Sequence, residues 1–172
     1  MRKVFNFITT AILVILVCFA GILLVPKVFG VEPMAVLSGS MNPTYKVGSL
    51  IYVNTHVSQN SIKVGDPITF KLEGNTVVTH RVVKIKSDGS YVTKGDANNT
   101  NDGGSVKYAA VVGVPIFTIP YLGYIATYAT SKTGIILLVT LILVILLLTF
   151  LPDLLDGKDD EDDSKEGGKT DE

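Results

Sequence analysis

The chain has 172 residues, a formal charge of −1 and a single cysteine, Cys18. Because Cys18 lies inside a long apolar run, it acts as a small hydrophobic residue, which excludes thiol catalysis and cysteine-ligated metal sites. The two histidines, His56 and His80, have no acidic cluster beside them, so no metal and no cofactor are expected. The basic residues are thinly spread, which argues against nucleic-acid binding.

Two apolar runs without charged residues lie near the ends of the chain. Residues 4–25 form a run that, at about 1.5 Å per helical residue, can cross a hydrocarbon core of about 30 Å. The run is longer than the apolar part of a cleaved signal peptide, so we interpret it as a retained signal-anchor helix. Residues 134–151 form a second run, at the short end of spanning length. The sequence therefore predicts two transmembrane helices in a multi-pass protein of the cell membrane.

The charges that flank these runs predict their orientation in the membrane. Arg2 and Lys3 keep residues 1–3 in the cytoplasm by the positive-inside rule, so residues 26–133 are expected outside the cytoplasm and the C-terminus inside it. Ten acidic residues and three lysines lie from Asp153 onward, which gives that segment a net charge of −7. Residues 152–172 are therefore expected to form a disordered acidic cytoplasmic tail.

The segment between the two runs has the pattern of a β domain. Strand-like stretches, rich in β-branched and aromatic residues or alternating apolar with polar ones, occur at 49–55, 68–72, 76–86, 90–94 and 106–118. Gly74-Asn75 and Asp88-Gly89 are typical two-residue hairpin turns. Residues 26–133 are therefore predicted to be mainly β, a small antiparallel sheet or barrel between the two transmembrane helices.

The first hairpin turn predicts the face on which a histidine lies. If Gly74-Asn75 is the whole loop, Thr69 lies opposite His80. His80 would then share the polar face of Thr69 and would lie away from the face of Phe70.

The second hairpin turn predicts what lies beside that histidine. If Asp88-Gly89 is the whole loop, Val82 lies opposite Gly95. The chain from Asp96 onward would then emerge beside the histidine strand, and it would bring Asp96 and Asp102 within reach of the imidazole.

A turn of small residues, Ser38 to Thr44, follows the first apolar run. A serine hydroxyl is a weak nucleophile that needs a neighbouring base and donors for the developing oxyanion. A histidine can accept the serine proton, and an aspartate on the other ring nitrogen fixes the tautomer of the imidazole. Ser40, His80 and an aspartate of the adjoining loop are thus candidates for a serine hydrolase site. The same residue types also occupy ordinary turns and strands, and the spacing alone favours neither interpretation.

Four motifs, in this order along the chain, resemble type I signal peptidase. They are Ser38-Gly39-Ser40-Met41-Asn42-Pro43-Thr44, Val64-Gly65-Asp66, His80-Arg81-Val82, and Lys94-Gly95-Asp96 followed by Asp102. Where the common bacterial branch has a lysine before Arg-Val, this chain has His80, which is similar to the endoplasmic-reticulum, archaeal and sporulating-bacterium (SipW-like) branch. The resemblance implies a signal-peptidase or LexA-like antiparallel β catalytic domain flanked by two transmembrane helices.

The resemblance also implies roles for individual residues. Ser40 would be the nucleophile, His80 the general base and Asp102 the acid. Ser38 would help the Ser40 amide to form an oxyanion hole. Asp96 would be a supporting residue or the alternative acid, since the usual pattern Gly-Asp-Asn-Asn is interrupted here by an alanine. The implied activity is a membrane-bound serine endopeptidase that removes signal peptides from secretory preproteins, cutting after small residues at the first and third positions before the bond.

The sequence leaves two other interpretations open. One is a non-catalytic, membrane-anchored β module that binds partners in the cell envelope, in which the serine, histidine and aspartate would be unrelated in space. The other is a serine-lysine hydrolase that uses Lys84 or Lys94 as its base.

Overall fold

A computed structural model describes residues 2–72, 74, 76–129 and 131–156 of the chain. Within these residues the regular structure consists of three α-helices and six β-strands, with two short 3₁₀ turns. In chain order the elements are α1 (Arg2–Val28), β1 (Val31–Ala35), β2 (Leu50–Asn54), β3 (Pro67–Lys71), β4 (Val77–Ile85), β5 (Tyr91–Lys94), β6 (Val111–Ile119), α2 (Leu122–Ala129) and α3 (Lys132–Asp156). The 3₁₀ turns are Gln59–Ser61 and Tyr108–Ala110.

The chain divides into two compact units, of which residues 21–130 are one and residues 1–20 with 131–172 are the other. The unit 21–130 contains a six-stranded sheet in the order β1-β2-β6-β3-β4-β5, and every neighbouring pair is antiparallel. The prediction of a mainly antiparallel β domain is therefore confirmed. The acidic segment from residue 157 onward, predicted as a disordered tail, lies outside the described residues.

Two elements of this unit were not predicted from the sequence. Strand β1 contains Pro33 and lacks a clear alternation of apolar and polar residues, and it lies at the edge of the sheet, where proline is tolerated. Helix α2 has only eight residues and no charged side chain to mark its ends. The five predicted strands all appear, although the last begins at Val111 and is preceded by a 3₁₀ turn.

Among the described residues, one helix is long and apolar enough to cross a membrane, namely Phe7–Val28, with a mean hydropathy of 2.9. The apolar side chains of this helix are largely exposed, as expected for a segment whose solvent is lipid. A second stretch meets the same criterion only when Leu122–Ala129 and Lys132–Leu147 are taken together. The prediction of two membrane helices is thus supported for the first of them.

Hydrogen bonds join β2 and the residue after it to the last turns of α1 and to the residues that follow α1. The Tyr52 hydroxyl of β2 donates a hydrogen bond to the Ile22 carbonyl at 3.1 Å. The Thr55 amide and hydroxyl both donate to the Gly30 carbonyl at 2.8 Å. The β domain therefore begins where the apolar helix ends.

The predicted register of the β3–β4 hairpin is wrong by one residue. His80 pairs with Ile68 instead of Thr69, and the Leu72 amide bonds to the Thr76 carbonyl at 2.8 Å. Three residues, not two, therefore separate the strands, and a shift of one residue moves every side chain to the other face. The His80 ring accordingly lies on the face of Phe70, with the ring centroids 6.3 Å apart in an edge-on arrangement.

The predicted register of the β4–β5 hairpin is also wrong, for two reasons. The Lys86 amide donates to the Ser90 carbonyl at 2.9 Å, so the loop holds three residues, and a bulge interrupts β4. Val82 pairs with Thr93 instead of Gly95, and the register shifts between Val82 and Lys84. Arg81 pairs with Lys94, so the position next along β5, Gly95, lies opposite His80. The expectation that the chain after Gly95 emerges beside the histidine is confirmed, although by a different register.

Strands β2 and β6 approach each other closely at Gly113 of β6. A side chain added at this glycine would place its Cβ 2.1 Å from the Asn54 carbonyl oxygen and 2.8 Å from Val53 Cγ1. Val53 is fully buried, in a cluster with Met41, Tyr45 and Ile51. Only glycine allows β2 and β6 to approach this closely.

Replacing Gly113 by alanine should therefore destabilise the β domain by about 1–3 kcal/mol, because backbone cannot move aside as a flexible side chain can. Thermal unfolding followed by circular dichroism measures the change. Gly104→Ala is the matched control, since nothing lies within 4 Å of a Cβ added there. Equal stability of the two variants would contradict the packing described for β2 and β6.

Candidate active site

The seven-residue turn that carries Ser40 joins β1 to β2 and is fixed at its base. Met41 of the turn and Tyr45, which follows it, are buried, and they pack with Ile51 and Val53 of β2. The Tyr45 amide also donates to the Met41 carbonyl at 2.9 Å. This anchoring leaves the small residues of the turn at the surface, with the hydroxyl oxygens of Ser38 and Ser40 3.3 Å apart.

His80 is paired with Asp102 through a short hydrogen bond. The distance from His80 Nδ1 to Asp102 Oδ2 is 2.6 Å, and the histidine side chain is 12 % exposed. Asp102 lies in the loop after β5, and its amide donates to the Thr93 carbonyl at 2.8 Å. The bond occupies Nδ1, so Nε2 is the ring nitrogen left to exchange a proton with another group.

The Ser40 turn lies against the residues that follow β5. The Ala97 amide donates to the Ser40 carbonyl at 2.9 Å. A Cβ added at Gly95 would lie 2.6 Å from the same carbonyl oxygen. Because Gly95 is the position opposite His80, these contacts bring the Ser40 turn to the end of the sheet where His80 and Asp102 meet.

The Ser40 hydroxyl and the His80 ring are not hydrogen-bonded to each other in the described part of the chain. The hydroxyl is bonded to Ser38, and the ring is bonded to Asp102. Catalytic hydrogen bonds are commonly long or misaligned before substrate binds and shorten in the complex. Among the described contacts, Ser40 is joined to the loop after β5 by the bond from the Ala97 amide to its carbonyl.

Asp96 takes part in a separate cluster, on the other side of β4 from His80. Its carboxylate accepts hydrogen bonds from Arg81 Nε at 2.7 Å, from Arg81 Nη2 at 2.5 Å and from the Thr44 hydroxyl at 2.5 Å. Arg81 Nη1 also donates to the Gly65 carbonyl at 2.8 Å. Of the two aspartates considered for the acid, Asp102 contacts the histidine and Asp96 contacts the arginine.

Two pKa values are shifted in and beside this cluster, for different reasons. The hydrogen bonds from Arg81 hold the pKa of the Asp96 carboxyl below its ordinary value of 3.8, and the Thr44 hydroxyl adds to that shift while burial opposes it. Burial raises the pKa of the Tyr45 phenol, and the Arg81 guanidinium opposes that shift. Asp96 is therefore ionised throughout the physiological range and serves as a permanent counter-ion for Arg81.

A cavity of about 670 Å³ opens beside the two serines. Its walls are mostly apolar and come from β1, from the start of β2, from β4 and from α2, with Ser38 and Ser40 at one side. Thr79, the residue before His80, also lines it, as does Thr127 of α2.

The remaining candidates from the sequence lie away from this site. Lys94 pairs with Arg81 and Lys84 with Val92, so both lysines are on the face of the sheet opposite His80. The His56 ring lies against Gly30 at the end of α1. Among the described residues there is no group of three or more histidine, cysteine or acidic side chains that could hold a metal ion.

Sequence reasoning missed the residues that join these parts. Thr44 and Arg81 stood inside motifs that were singled out, but nothing in the sequence indicated that both bind Asp96. Thr93 carried no signal at all, since a threonine in a β-strand is ordinary. The contact between the Ala97 amide and the Ser40 carbonyl is a backbone interaction, which side-chain identity does not encode.

The fold and the site define a β domain that follows an apolar helix, in which His80 is bonded to Asp102 and the turn that carries Ser40 is bonded to the loop after β5. A model of the family "Signal peptidase, peptidase S26" matches residues 7–103, more than half of the chain. This chain belongs to that signal peptidase family. The resemblance noted in the four sequence motifs is thus confirmed.

Named relatives support the same assignment. Signal peptidase I W of Bacillus subtilis (strain 168) is 44 % identical over 84 residues, which are 47 % of this chain and 44 % of the relative. The signal peptidase complex catalytic subunit SEC11C of Homo sapiens is 34 % identical over 104 residues, 54 % of each chain. Sec11 of Dictyostelium discoideum is 42 % identical over 76 residues, 41 % of each. The chain therefore spans about half the length of the curated relatives it matches.

Removing the charge of Asp96 should destabilise the domain and change its response to acid. In Asp96→Asn the partly buried Arg81 loses its counter-ion, at a cost of about 1–3 kcal/mol at neutral pH. Because the pKa of Asp96 is depressed in the folded state, its stabilisation is present above the ordinary value of 3.8 and is lost as pH falls through the folded-state pKa.

Denaturant unfolding at pH 7 and at pH 3 measures both effects. The difference in stability between wild type and Asp96→Asn should be large at pH 7 and smaller at pH 3. Glu32→Gln, which removes an exposed carboxylate of β1, serves as the control and should match wild type at pH 7. If the difference in unfolding stability between wild type and Asp96→Asn is unchanged or larger at pH 3, the ion pair does not stabilise the cluster.

Proposed function

We propose that this protein is a membrane-bound serine endopeptidase that removes N-terminal signal peptides from secretory preproteins. The observation that carries the proposal is the 2.6 Å bond between His80 and Asp102, at the end of the sheet to which the Ser40 turn is fastened. Membership of the signal peptidase family supports the same activity. The rival interpretation, a β module without catalytic function, has no support from the comparisons.

The proposed mechanism assigns one role to each of the grouped side chains. Ser40 Oγ attacks the scissile carbonyl while His80 Nε2 accepts its proton, and Asp102 stabilises the imidazolium that forms. The imidazolium then protonates the leaving amine, and a water activated by the same base hydrolyses the acyl-enzyme. The Ser40 amide and the Ser38 hydroxyl are the proposed donors to the oxyanion, which the 3.3 Å separation of the two hydroxyls supports.

The cleft suggests how a substrate binds. Strand β1 lies at the edge of the sheet and leads directly into the Ser38 to Thr44 turn, so an extended peptide can add beside it as a further strand. Alternate side chains of such a peptide point into the apolar cavity next to Ser40. Small residues at the first and third positions before the bond would fit there, because larger ones would need the walls to shift.

The proposed location follows from the attachment of the sheet to α1. We assign residues 1–3 to the cytoplasm, residues 4–25 to a membrane-spanning anchor, residues 26–133 to the outer side and residues 134–151 to a second span. Residues 152–172 then return to the cytoplasm. Signal peptides leave the bilayer on the outer face, and the bonds from Tyr52 and Thr55 to the end of α1 support a cleft close to that face.

Ser40→Ala should abolish cleavage, because the proposed acyl-enzyme forms on the Ser40 hydroxyl. We expect membrane insertion and stability to be unchanged and the rate to fall at least about 10³-fold. The assay follows removal of the leader from a reporter preprotein by the full-length protein in membranes. Ser87→Ala, in the exposed β4–β5 turn, is the control and should cleave at the wild-type rate. Wild-type processing by Ser40→Ala would disprove the proposed nucleophile.

Asp102→Asn and Asp96→Asn should fail in different ways, since only Asp102 contacts His80. We expect Asp102→Asn to lower kcat by about 10²–10⁴-fold while the protein stays folded, as when the tautomer of a triad histidine is no longer fixed. At temperatures below its lowered melting temperature, Asp96→Asn should keep a kcat within about tenfold of the wild-type value. The measurements are kcat and melting temperature on the same preparations. The opposite pattern would make Asp96 the acid.

A further inference from the structure

Thr93 of β5 is bonded to the same carboxylate oxygen as His80. Its hydroxyl donates to Asp102 Oδ2 at 2.6 Å, and His80 Nδ1 lies at the same distance from that oxygen. Thr93 is 1 % exposed, so its hydroxyl is shielded from bulk water. One oxygen of Asp102 thus serves two partners from neighbouring strands.

Thr93 also holds the backbone of Asp102. The Asp102 amide donates to the Thr93 carbonyl at 2.8 Å, so residue 93 bonds to both the main chain and the side chain of the aspartate. Asp102 itself lies in a loop, with two glycines after it and a side chain that is 30 % exposed. In the described part of the chain, the hydrogen bonds of its carboxylate come from Thr93 and His80 alone.

We propose that Thr93 is the positioning residue of the site, whose hydroxyl fixes the orientation of the Asp102 carboxylate towards His80. The proposal rests on the function proposed above. A loop carboxylate can rotate about two side-chain torsions, and a second buried donor on the same oxygen selects one orientation.

The hydroxyl, and not the bulk of the side chain, is the feature that matters in this account. Val82, opposite Thr93, is buried with it, so a side chain of similar volume is needed at position 93 to fill the sheet. Valine keeps that volume and the β-branch but has no donor. Serine keeps the donor and loses only a methyl group. The two substitutions therefore separate orientation from packing.

The test measures kcat and KM for the full-length protein on a reporter preprotein with alanine at the first and third positions before the bond. We expect Thr93→Val to lower kcat about tenfold, with KM changed less than about twofold. The variant loses a hydrogen bond to a charged group, and this bond affects the chemical step but not substrate binding. Thr93→Ser should keep at least about half of the wild-type kcat. In an Asp102→Asn background, Thr93→Val should change kcat by less than about twofold, since the carboxylate it orients is gone.

Ser90→Ala is the matched control. Ser90 is also buried, and its hydroxyl donates to Asp88 at 2.7 Å in the β4–β5 turn, away from the cleft. This variant should keep wild-type kcat even if its melting temperature falls. A wild-type kcat for Thr93→Val, equal loss in Thr93→Ser and Thr93→Val, or a loss confined to KM would each overturn the proposal.

The results distinguish an error in the role of Thr93 from an error in the proposed function. If Ser40→Ala cleaves as fast as wild type, the function itself is wrong. If Ser40→Ala is inactive, wild type is active and Thr93→Val retains full kcat, only the role of Thr93 is wrong.

Discussion

The site depends on one carboxylate that joins three separate parts of the chain. Asp96, in the loop after β5, accepts hydrogen bonds from Arg81 on β4 and from Thr44 in the turn that carries Ser40. Bonds between a guanidinium and a carboxylate are short, directional and about twice as strong as neutral ones. The Ala97 amide adds a backbone bond to the Ser40 carbonyl. Without these contacts the serine turn would be tied only to β1 and β2, three positions across the sheet from β4.

The two aspartates of this loop have different tasks because two successive residues of β4 face opposite sides of the sheet. His80 points to one face and contacts Asp102, and Arg81 points to the other and contacts Asp96. A single strand thereby connects the proposed proton relay with the ion pair that fastens the serine turn. A bulge or slip by one residue in β4 would exchange the two side chains, so the register itself is part of the site.

Much of this arrangement follows from the sequence, and there are physical reasons why the rest could not be predicted from it. The strands were predicted because β-branched and aromatic residues alternate with polar ones between clear turn signals. The face of His80 was predicted wrongly, because the first hairpin loop holds three residues, and the register of β4 with β5 was predicted wrongly in part because β4 contains a bulge. Residue types do not indicate either feature. The motifs identified the serine, histidine and aspartates, but the choice between Asp96 and Asp102 needed the tertiary contacts of Arg81 and Thr93.

The central claim is that residue 40 and the imidazole of His80, far apart in the sequence, share one site. The most direct measurement is the pH dependence of thiol alkylation in a Ser40→Cys variant that also carries Cys18→Ser, so that one thiol remains. A histidine beside that thiol stabilises the thiolate, and we predict alkylation near pH 6 to be at least about tenfold faster than in the same protein with His80→Gln. Identical alkylation profiles with and without His80 would contradict the account.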